Sequence, residues 1–351
     1  MTVLPQFWKG KRVLVTGHSG FKGSWLVLWL TRMGAQVSGF SRPPATEPNL
    51  YTIAEIHSLV CSGFGDLQTY ADIEAAVVRS APEIVIHLAA QPLVLKSVRE
   101  PVETFASNVM GTVNLLAALR QSPRLKVVLV VTTDKVYRNN HVPIPFRESD
   151  ALGGHDPYSA SKAATELVAA AFADSYFQAQ GVSVATARGG NVIGGGDFSE
   201  ERLVPDIYRA VTTNGKLVLR HPEAIRPWQH VLDCLCGYLT YAQQLHDGRG
   251  LPRTVNFGPS AAEPIAVATM ANAMLEALGR SPQWRVDRPA SSVEMQHLTL
   301  DCRLAHDVLG WRNRLPGMQA VRATADWYLA FRNGEDMLAY TLASIDDFLT
   351  R

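Results

Sequence analysis

Cysteine is scarce. The 351 residues hold four, Cys61, Cys234, Cys236 and Cys302, with no CxxC pair and no metal-ligand spacing among them. That argues against a zinc ribbon or a redox motif and leaves reduced thiols in a cytoplasmic protein as the expectation. The ten histidines are scattered and none falls in an HExxH, so no metal site is expected. An excess of one charge is missing too, since 33 Lys and Arg against 32 Asp and Glu give a formal net charge of +1. No global field therefore draws the chain to nucleic acid or to an anionic membrane. Long apolar runs are absent: the longest near the N-terminus, Trp25 to Leu30, falls far short of a bilayer span. Met1 to Gly10 lacks the charged start and apolar stretch of a secretion signal. No internal repeat or low-complexity tract is visible, which excludes a repeat array.

What is present is the composition of a globular protein, 47% hydrophobic and 19% charged, long enough for one large or two modest domains. In the first half, short β-branched runs alternate with amphipathic stretches. Arg12–Thr16, Ala35–Phe40, Leu59–Gly63, Ile84–Leu88, Val127–Thr132 and Val182–Ala187 read as strands. A helix from about Gly20 to before Gly34, and helices over Thr69–Ser80, Val102–Gln121 and Tyr158–Ala179, lie between them. Continuous apolar strands alternating with helices imply a doubly wound α/β fold with a parallel sheet covered on both faces. After Arg188 the rhythm breaks at Gly189-Gly190-Asn191 and Gly194-Gly195-Gly196-Asp197. The expected division is a nucleotide-binding domain of residues 1–188 plus about 229–260, interleaved with a smaller α/β substrate domain of 189–228 plus about 261–351. Ligands of such sheets bind at the carboxyl edge.

Gly17-His18-Ser19-Gly20-Phe21-Lys22-Gly23 joins the first strand to the first helix, with glycines three apart. Such glycines permit a tight turn, close approach of backbone to a pyrophosphate, and close packing of helix on strand. The helix N-terminus adds free N–H donors and partial positive charge. The pattern predicts a dinucleotide site. Further contacts are expected from Leu67, from Leu88, Ala89 and Ala90 after the fourth strand, and from Thr132, Tyr158 and Lys162. The second strand ends Gly39-Phe40-Ser41-Arg42, without the acid that usually holds the ribose 2′-OH of NAD. Arg42 faces a 2′-phosphate, favouring NADP, or is a solvated loop arginine. Asp66 accepts from the adenine amino group or caps the helix near Gln68.

Tyr158-Ser-Ala-Ser-Lys162 sets a phenol and an ammonium four apart, on one helical face. The ammonium and an oxidised nicotinamide both favour the phenolate, lowering the tyrosine pKa toward working pH. Pro157 suits a first helical turn. At the end of a buried strand, Thr132-Thr133-Asp134-Lys135 offers a hydroxyl beside Tyr158 and two more ionisable groups. A dehydrogenase or epimerase needs only Thr133, Tyr158 and Lys162. Asp134 and Lys135 signify a second proton transfer, or an ion pair closing a loop.

These residues lie in a wider likeness. FWKGKR (7–12) leading into TGHSGFKGSW, HLAAQPLV (87–94), TTDKVY (132–137), GGHDPYSASK (153–162), RGGNVIGGGD (188–197), IRPWQHVLD (225–233) and EMQHLTLD (294–301) together resemble the CDP-glucose 4,6-dehydratases of the extended short-chain dehydrogenase/reductase group. The resemblance implies a Rossmann fold, bound NAD, and a nucleotide sugar as substrate. It implies that Tyr158 takes the C4 hydroxyl proton, that Lys135 or a group it orients removes C5–H, and that Asp134 protonates the departing C6 hydroxyl. Lysine at 135, where sugar-nucleotide dehydratases generally carry glutamate, is similar to the CDP-glucose branch. As base it would need a depressed pKa. Gln91, Asn191, Arg202, Arg220 and Arg226 are the implied substrate contacts, the arginines toward the diphosphate. Trp228 and His230 are expected to pack and orient their loop. A homodimer or higher homo-oligomer, a cytoplasmic location and a product feeding deoxysugar synthesis for surface polysaccharide such as O-antigen are implied too.

The alternatives keep the cofactor fold. A nucleotide-sugar 4-epimerase would not need Asp134 or Lys135. A dehydratase for another nucleotide hexose would differ only in base recognition. A non-catalytic redox sensor would have no use for the intact Tyr158–Lys162 pair.

Overall fold

The computed structural model describes residues 3–139, 143–259, 265–287 and 297–351. After a short helix α1 (Pro5–Trp8) the chain runs β1 (Arg12–Thr16), α2 (Phe21–Arg32), β2 (Gln36–Ser41), α3 (Leu50–Ile53), β3 (Cys61–Phe64), α4 (Tyr70–Ser80) and β4 (Ile84–His87). Helices α5 (Val94–Arg99), α6 (Pro101–Phe105) and α7 (Gly111–Leu119) precede β5 (Val127–Thr133), α8 (Pro157–Phe172) and β6 (Ser183–Gly189). Every residue of β4 and β5 is buried, because helices cover both faces of the sheet.

Seven strands form one sheet in which every pairing is parallel, in the order β11-β6-β5-β4-β1-β2-β3, where β11 is Thr254–Phe257. The order reverses between β1 and β4, which opens a crevice at their carboxyl ends. Thr133 pairs in register with Gly189, so β5 and β6 deliver their last residues to the same edge.

Between β6 and β11, and beyond, the strands outside the large sheet are short. Strands β7 (Val192–Ile193), β8 (Leu217–Leu219), β9 (Ile225–Arg226) and β10 (Gln229–His230) alternate with α9 (Leu203–Thr212) and α10 (Val231–His246). Then come β12 (Ile265–Ala266), α11 (Val267–Ala277), β13 (Trp284–Val286), α12 (Arg303–Leu309), α13 (Met318–Arg332) and α14 (Met337–Thr350). Three two-stranded sheets, β10-β7, β12-β9 and β13-β8, tie this region together. Helix α10 is buried from Val231 to Leu245, packed against β5 and β6 of the large sheet and against α2 and α12.

The expected elements are present with shifted ends. The second and third strands sit at Gln36–Ser41 and Cys61–Phe64, and the helix after Gln68 starts at Tyr70. The long helix expected over 102–121 is interrupted by a π turn, Ala106–Met110. There the hydroxyls of Thr112 and Thr165 both donate to the Asn108 carbonyl, and the Asn108 amide bridges Gln91 and Ser161. Polar groups thus compensate the widened turn. The helix beginning at Pro157 likewise passes into a π turn, Ala173–Phe177, before Gly181 closes it at φ +68°. Of the EMQHLTLD motif, Glu294 to Gln296 lie outside the described residues.

Candidate active site

The glycine turn is built by exclusion. Gly17 has φ +75°, and a Cβ there would lie 2.7 Å from the Ala89 nitrogen. A Cβ on Gly23 would lie 2.0 Å from the Gly17 carbonyl oxygen, so only glycine lets α2 start against the turn. At Gly20 a Cβ would meet nothing closer than the Gly17 oxygen at 3.4 Å; that glycine keeps clear the space ahead of the helix. The first intrahelical bond runs from Ser24 N to the Gly20 carbonyl. The amides of Phe21, Lys22 and Gly23 therefore lie ahead of it, a donor set suited to a pyrophosphate.

The side chains within the turn serve the fold. The His18 ring is buried between the hydroxyls of Ser41 and Ser62, at 3.0 and 3.1 Å. Burial pushes its pKa down to about 4, keeping it neutral. Ser19 Oγ contacts Ser41 Oγ at 2.8 Å and donates to the Arg42 carbonyl at 2.9 Å, tying the turn to the end of β2. Phe21 packs toward Gly194. Lys22 instead reaches inward. Its ammonium lies 5.6 Å from the Tyr238 ring centroid, and its pKa is lowered by burial and by Arg202.

At the other wall, Asp156 caps α8, accepting from Ser159 N at 2.9 Å, and Pro157 occupies the first turn. Tyr158 N donates to Ser97 Oγ at 3.1 Å. These contacts aim Tyr158 and Lys162 at the end of β5. Lys162 Nζ donates to the Val131 carbonyl at 2.8 Å. Burial and the Lys22 charge push Lys162 down to about 7. The expected lowering of Tyr158 is not supplied by the protein's own groups. Burial pushes the phenol up to about 12, opposed chiefly by the Thr133 hydroxyl beside it.

The Thr133 hydroxyl donates to Asp134 Oδ1 at 2.9 Å, and among the described residues the other Asp134 oxygen, buried, has no hydrogen-bond partner. Burial raises the Asp134 pKa, and the charges of Lys135 and Arg226 only partly offset it. Thr133, Asp134, Tyr158 and Lys162 thus meet as a hydroxyl, a carboxyl biased toward its protonated form, a phenol and a weakened ammonium. Lys135 is half-buried on the turn that follows Thr133, with its backbone N–H on the Thr133 hydroxyl.

Other candidate residues divide. Thr132 is turned away: its hydroxyl donates to Glu166 at 2.5 Å, because β5 alternates its faces. The Gln91 amide is consumed by Leu93 and Thr104, so this side chain shapes its loop. Leu67 is buried against Gly111, while Leu88, Ala89 and Ala90 line the end of β4 half-buried. Arg202 is paired with Asp197 at 3.0 Å while its charge reaches Tyr158 and Lys22. Arg226 is buried and its charge acts on Asp134, whereas the charge of Arg220 acts on Asp206 of α9. Asn191 holds Gln229 N through its carbonyl at 2.9 Å. Trp228 and His230 pack, the latter capping α10 through Leu232 N. Arg42 is ion-paired to Asp66 at 2.7 Å and to Glu103 at 2.6 Å.

Sequence reading overlooked the buried Glu166–Arg188 pair, 2.9 Å apart, which also collects Thr132 and Thr186. An arginine inside the apolar run SVATARG was the available signal. It also missed Glu103, Tyr238 and the inward course of Lys22.

The sequence profile described as the NAD dependent epimerase/dehydratase family matches residues 13–258. A CDP-glucose 4,6-dehydratase of Salmonella typhimurium is 42% identical over 98% of this chain and 98% of its own length. A dTDP-glucose 4,6-dehydratase of Streptomyces antibioticus is 31% identical, covering 90% of this chain and 92% of that protein. Among solved structures, the dTDP-glucose 4,6-dehydratase of Bacillus anthracis in complex with NAD superposes with a TM-score of 0.77 at 23% identity. That match covers 93% of this chain and 99% of the other, and it is a likeness of fold.

Proposed function

The chain belongs to the NAD dependent epimerase/dehydratase family, and from that premise we propose that it converts CDP-D-glucose to CDP-4-dehydro-6-deoxy-D-glucose with loss of water. The carrying observation is Asp134: a buried carboxyl with one oxygen that has no partner among the described residues, its pKa raised, beside the Thr133 hydroxyl that faces Tyr158. An epimerase has no task for it. The near full-length likeness to a CDP-glucose enzyme supports the choice of base.

The glycine turn and the first amides of α2 fit a dinucleotide, and NAD is its cofactor. Bound NAD supplies hydride acceptance at C4 and hydride return at C6. Tyr158 receives the C4 hydroxyl proton while Thr133 orients that oxygen. The carbonyl formed at C4 acidifies C5–H, which Lys135, or a group it orients, removes. Asp134, biased toward its protonated form, gives its proton to the C6 hydroxyl as water leaves. Arg202, Arg220 and Arg226 are assigned to the diphosphate and Asn191 to the substrate phosphate, the charges of Arg202 and Arg226 reaching the catalytic groups as well.

The return of β11 to the sheet after the short strands supports the division into a nucleotide-binding lobe and an interleaved substrate lobe. Exposed Val98, Val102, Phe105, Met110 and Leu167 on neighbouring helices support a homodimer through α6 and α8. Light scattering should give twice the chain mass, and Leu167→Glu should weaken the pair. Among the described residues no helix is long and apolar enough to cross a membrane. A cytoplasmic enzyme feeding deoxysugar synthesis for surface polysaccharide is in keeping with this.

The test is incubation with CDP-, dTDP-, UDP- and GDP-hexoses plus NAD in deuterated water. Loss of water from CDP-glucose, with solvent deuterium at C5, is expected. Inversion at C4 without water loss would establish the epimerase instead.

A further inference from the structure

The end of β2 carries an arginine where an NAD enzyme usually carries an acid. In folds of this type the residue there meets the adenosine ribose, an acid holding the 2′-OH of NAD and an arginine accommodating the 2′-phosphate of NADP. Arg42 is held in that place, since Ser19 in the glycine turn donates to its carbonyl at 2.9 Å. Left to itself, it would make this an NADP site.

The Nε–Nη2 edge of its guanidinium is already engaged. Nε and Nη2 both donate to Asp66 Oδ2, at 3.0 and 2.7 Å, and Nη2 also donates to Glu103 Oε1 at 2.6 Å. The two carboxylates are themselves fixed. Asp66 Oδ1 accepts from Gln68 N at 2.9 Å, and Glu103 Oε2 accepts from Gln68 Nε2 at 2.8 Å. Gln68 and Arg42 hold the Glu103 carboxyl below its ordinary pKa, so its charge persists at neutral pH. The cluster joins the end of β2, the loop after β3 and helix α6, and carries one net negative charge.

We infer that Glu103, with Asp66, sets the coenzyme preference of this chain by occupying the edge of Arg42 that a 2′-phosphate would need. A dianionic phosphate would have to displace Asp66 from the paired donors and sit beside Glu103. A neutral ribose hydroxyl meets neither obstacle. Selection for NAD thus arises without an acid on β2, from a residue 61 positions away from the arginine it restrains. The inference rests on the reading of the glycine turn as a dinucleotide site.

The experiment measures dissociation constants of NAD, NADP and the fragment 2′,5′-ADP by calorimetry. It uses the full chain and its Glu103→Gln, Arg42→Ala and doubly substituted variants. Taking the ratio of NADP to NAD constants cancels general effects on folding. In Glu103→Gln the ratio should fall about tenfold, equivalent to ~1.4 kcal/mol. The 2′,5′-ADP constant should fall with it, and the gain should vanish when Arg42 is also replaced. An unchanged ratio in Glu103→Gln, with NAD still bound, would overturn this inference alone. So would a gain that survives loss of Arg42. If wild type binds neither dinucleotide, the glycine-turn reading falls and takes the inference with it.

Discussion

The chemistry at Asp134 is decided by burial. A carboxyl in water is ionised at neutral pH, but here, among the described residues, one oxygen accepts from the Thr133 hydroxyl and the other has no partner. Desolvation outweighs the nearby cations and raises its pKa. Asp134→Asn keeps the shape but removes the transferable proton. It should leave C4 oxidation intact, so that reduced nicotinamide accumulates on adding CDP-glucose, while dehydration slows by about 10²–10⁴-fold. Stopped-flow absorbance of the reduced ring together with product mass would check both halves. The residues proposed for this step could be picked out in sequence because strand end and helix turn are local: Thr133, Asp134 and Lys135 are consecutive, and Tyr158 and Lys162 are one helical turn apart. The anchor of Lys162 on the Val131 carbonyl and the inward path of Lys22 were not legible, since they depend on how α2 and α8 meet the sheet.

At the scale of elements, two joints hold the site. The first is the contact between α2 and the turn before it. Gly23→Ala would drive a methyl into the Gly17 carbonyl, and backbone cannot yield as a flexible side chain can. NAD affinity should collapse, with a loss of about 1–3 kcal/mol in denaturant unfolding. The second joint is Glu166 on α8, which gathers Thr132 from β5 and Thr186 and Arg188 from β6. Arg188 is buried, so Glu166→Leu would strand its charge and cost about 3–5 kcal/mol by the same measurement. The order of strands and helices was readable from alternation of apolar runs. The π turns were not, because residues 101–119 have the periodicity of an uninterrupted helix and the insertion answers to Asn108, Thr112 and Thr165 meeting in space.

Across the whole molecule, buried histidines couple stability to pH. His18, His87 and His230 are pushed down to about 4, 3 and 3 by burial. An unfolded histidine protonates near ~6.5. The native state therefore binds fewer protons in between, so the stabilisation is fully present above ~6.5 and is lost as pH falls toward 4. Each histidine contributes a slope of up to ~1.4 kcal/mol per pH unit. Asp233, pushed up to about 6, acts in the opposite direction: its contribution is present below ~4 and lost as pH rises through 6. Asp134, Glu148 and Asp206, also raised by burial, act with Asp233. The histidine share is therefore read from a variant: between about pH 6.5 and 4.5, urea midpoints of His230→Asn, which retains a capping side chain for α10, should drop less than those of the unsubstituted chain.

The seventh strand of the sheet bears on how the protein is made. All the proposed catalytic residues have been synthesised by the time Gly189 emerges, yet the outer edge of β6 pairs only with β11, which ends at Phe257. At ~5–20 residues per second, translation leaves that edge uncovered for several seconds. An unpaired edge strand is a template for pairing with another chain. A nascent polypeptide halted between these points thus carries a full complement of catalytic residues and an open seam, and it is there that polysomes would need a chaperone.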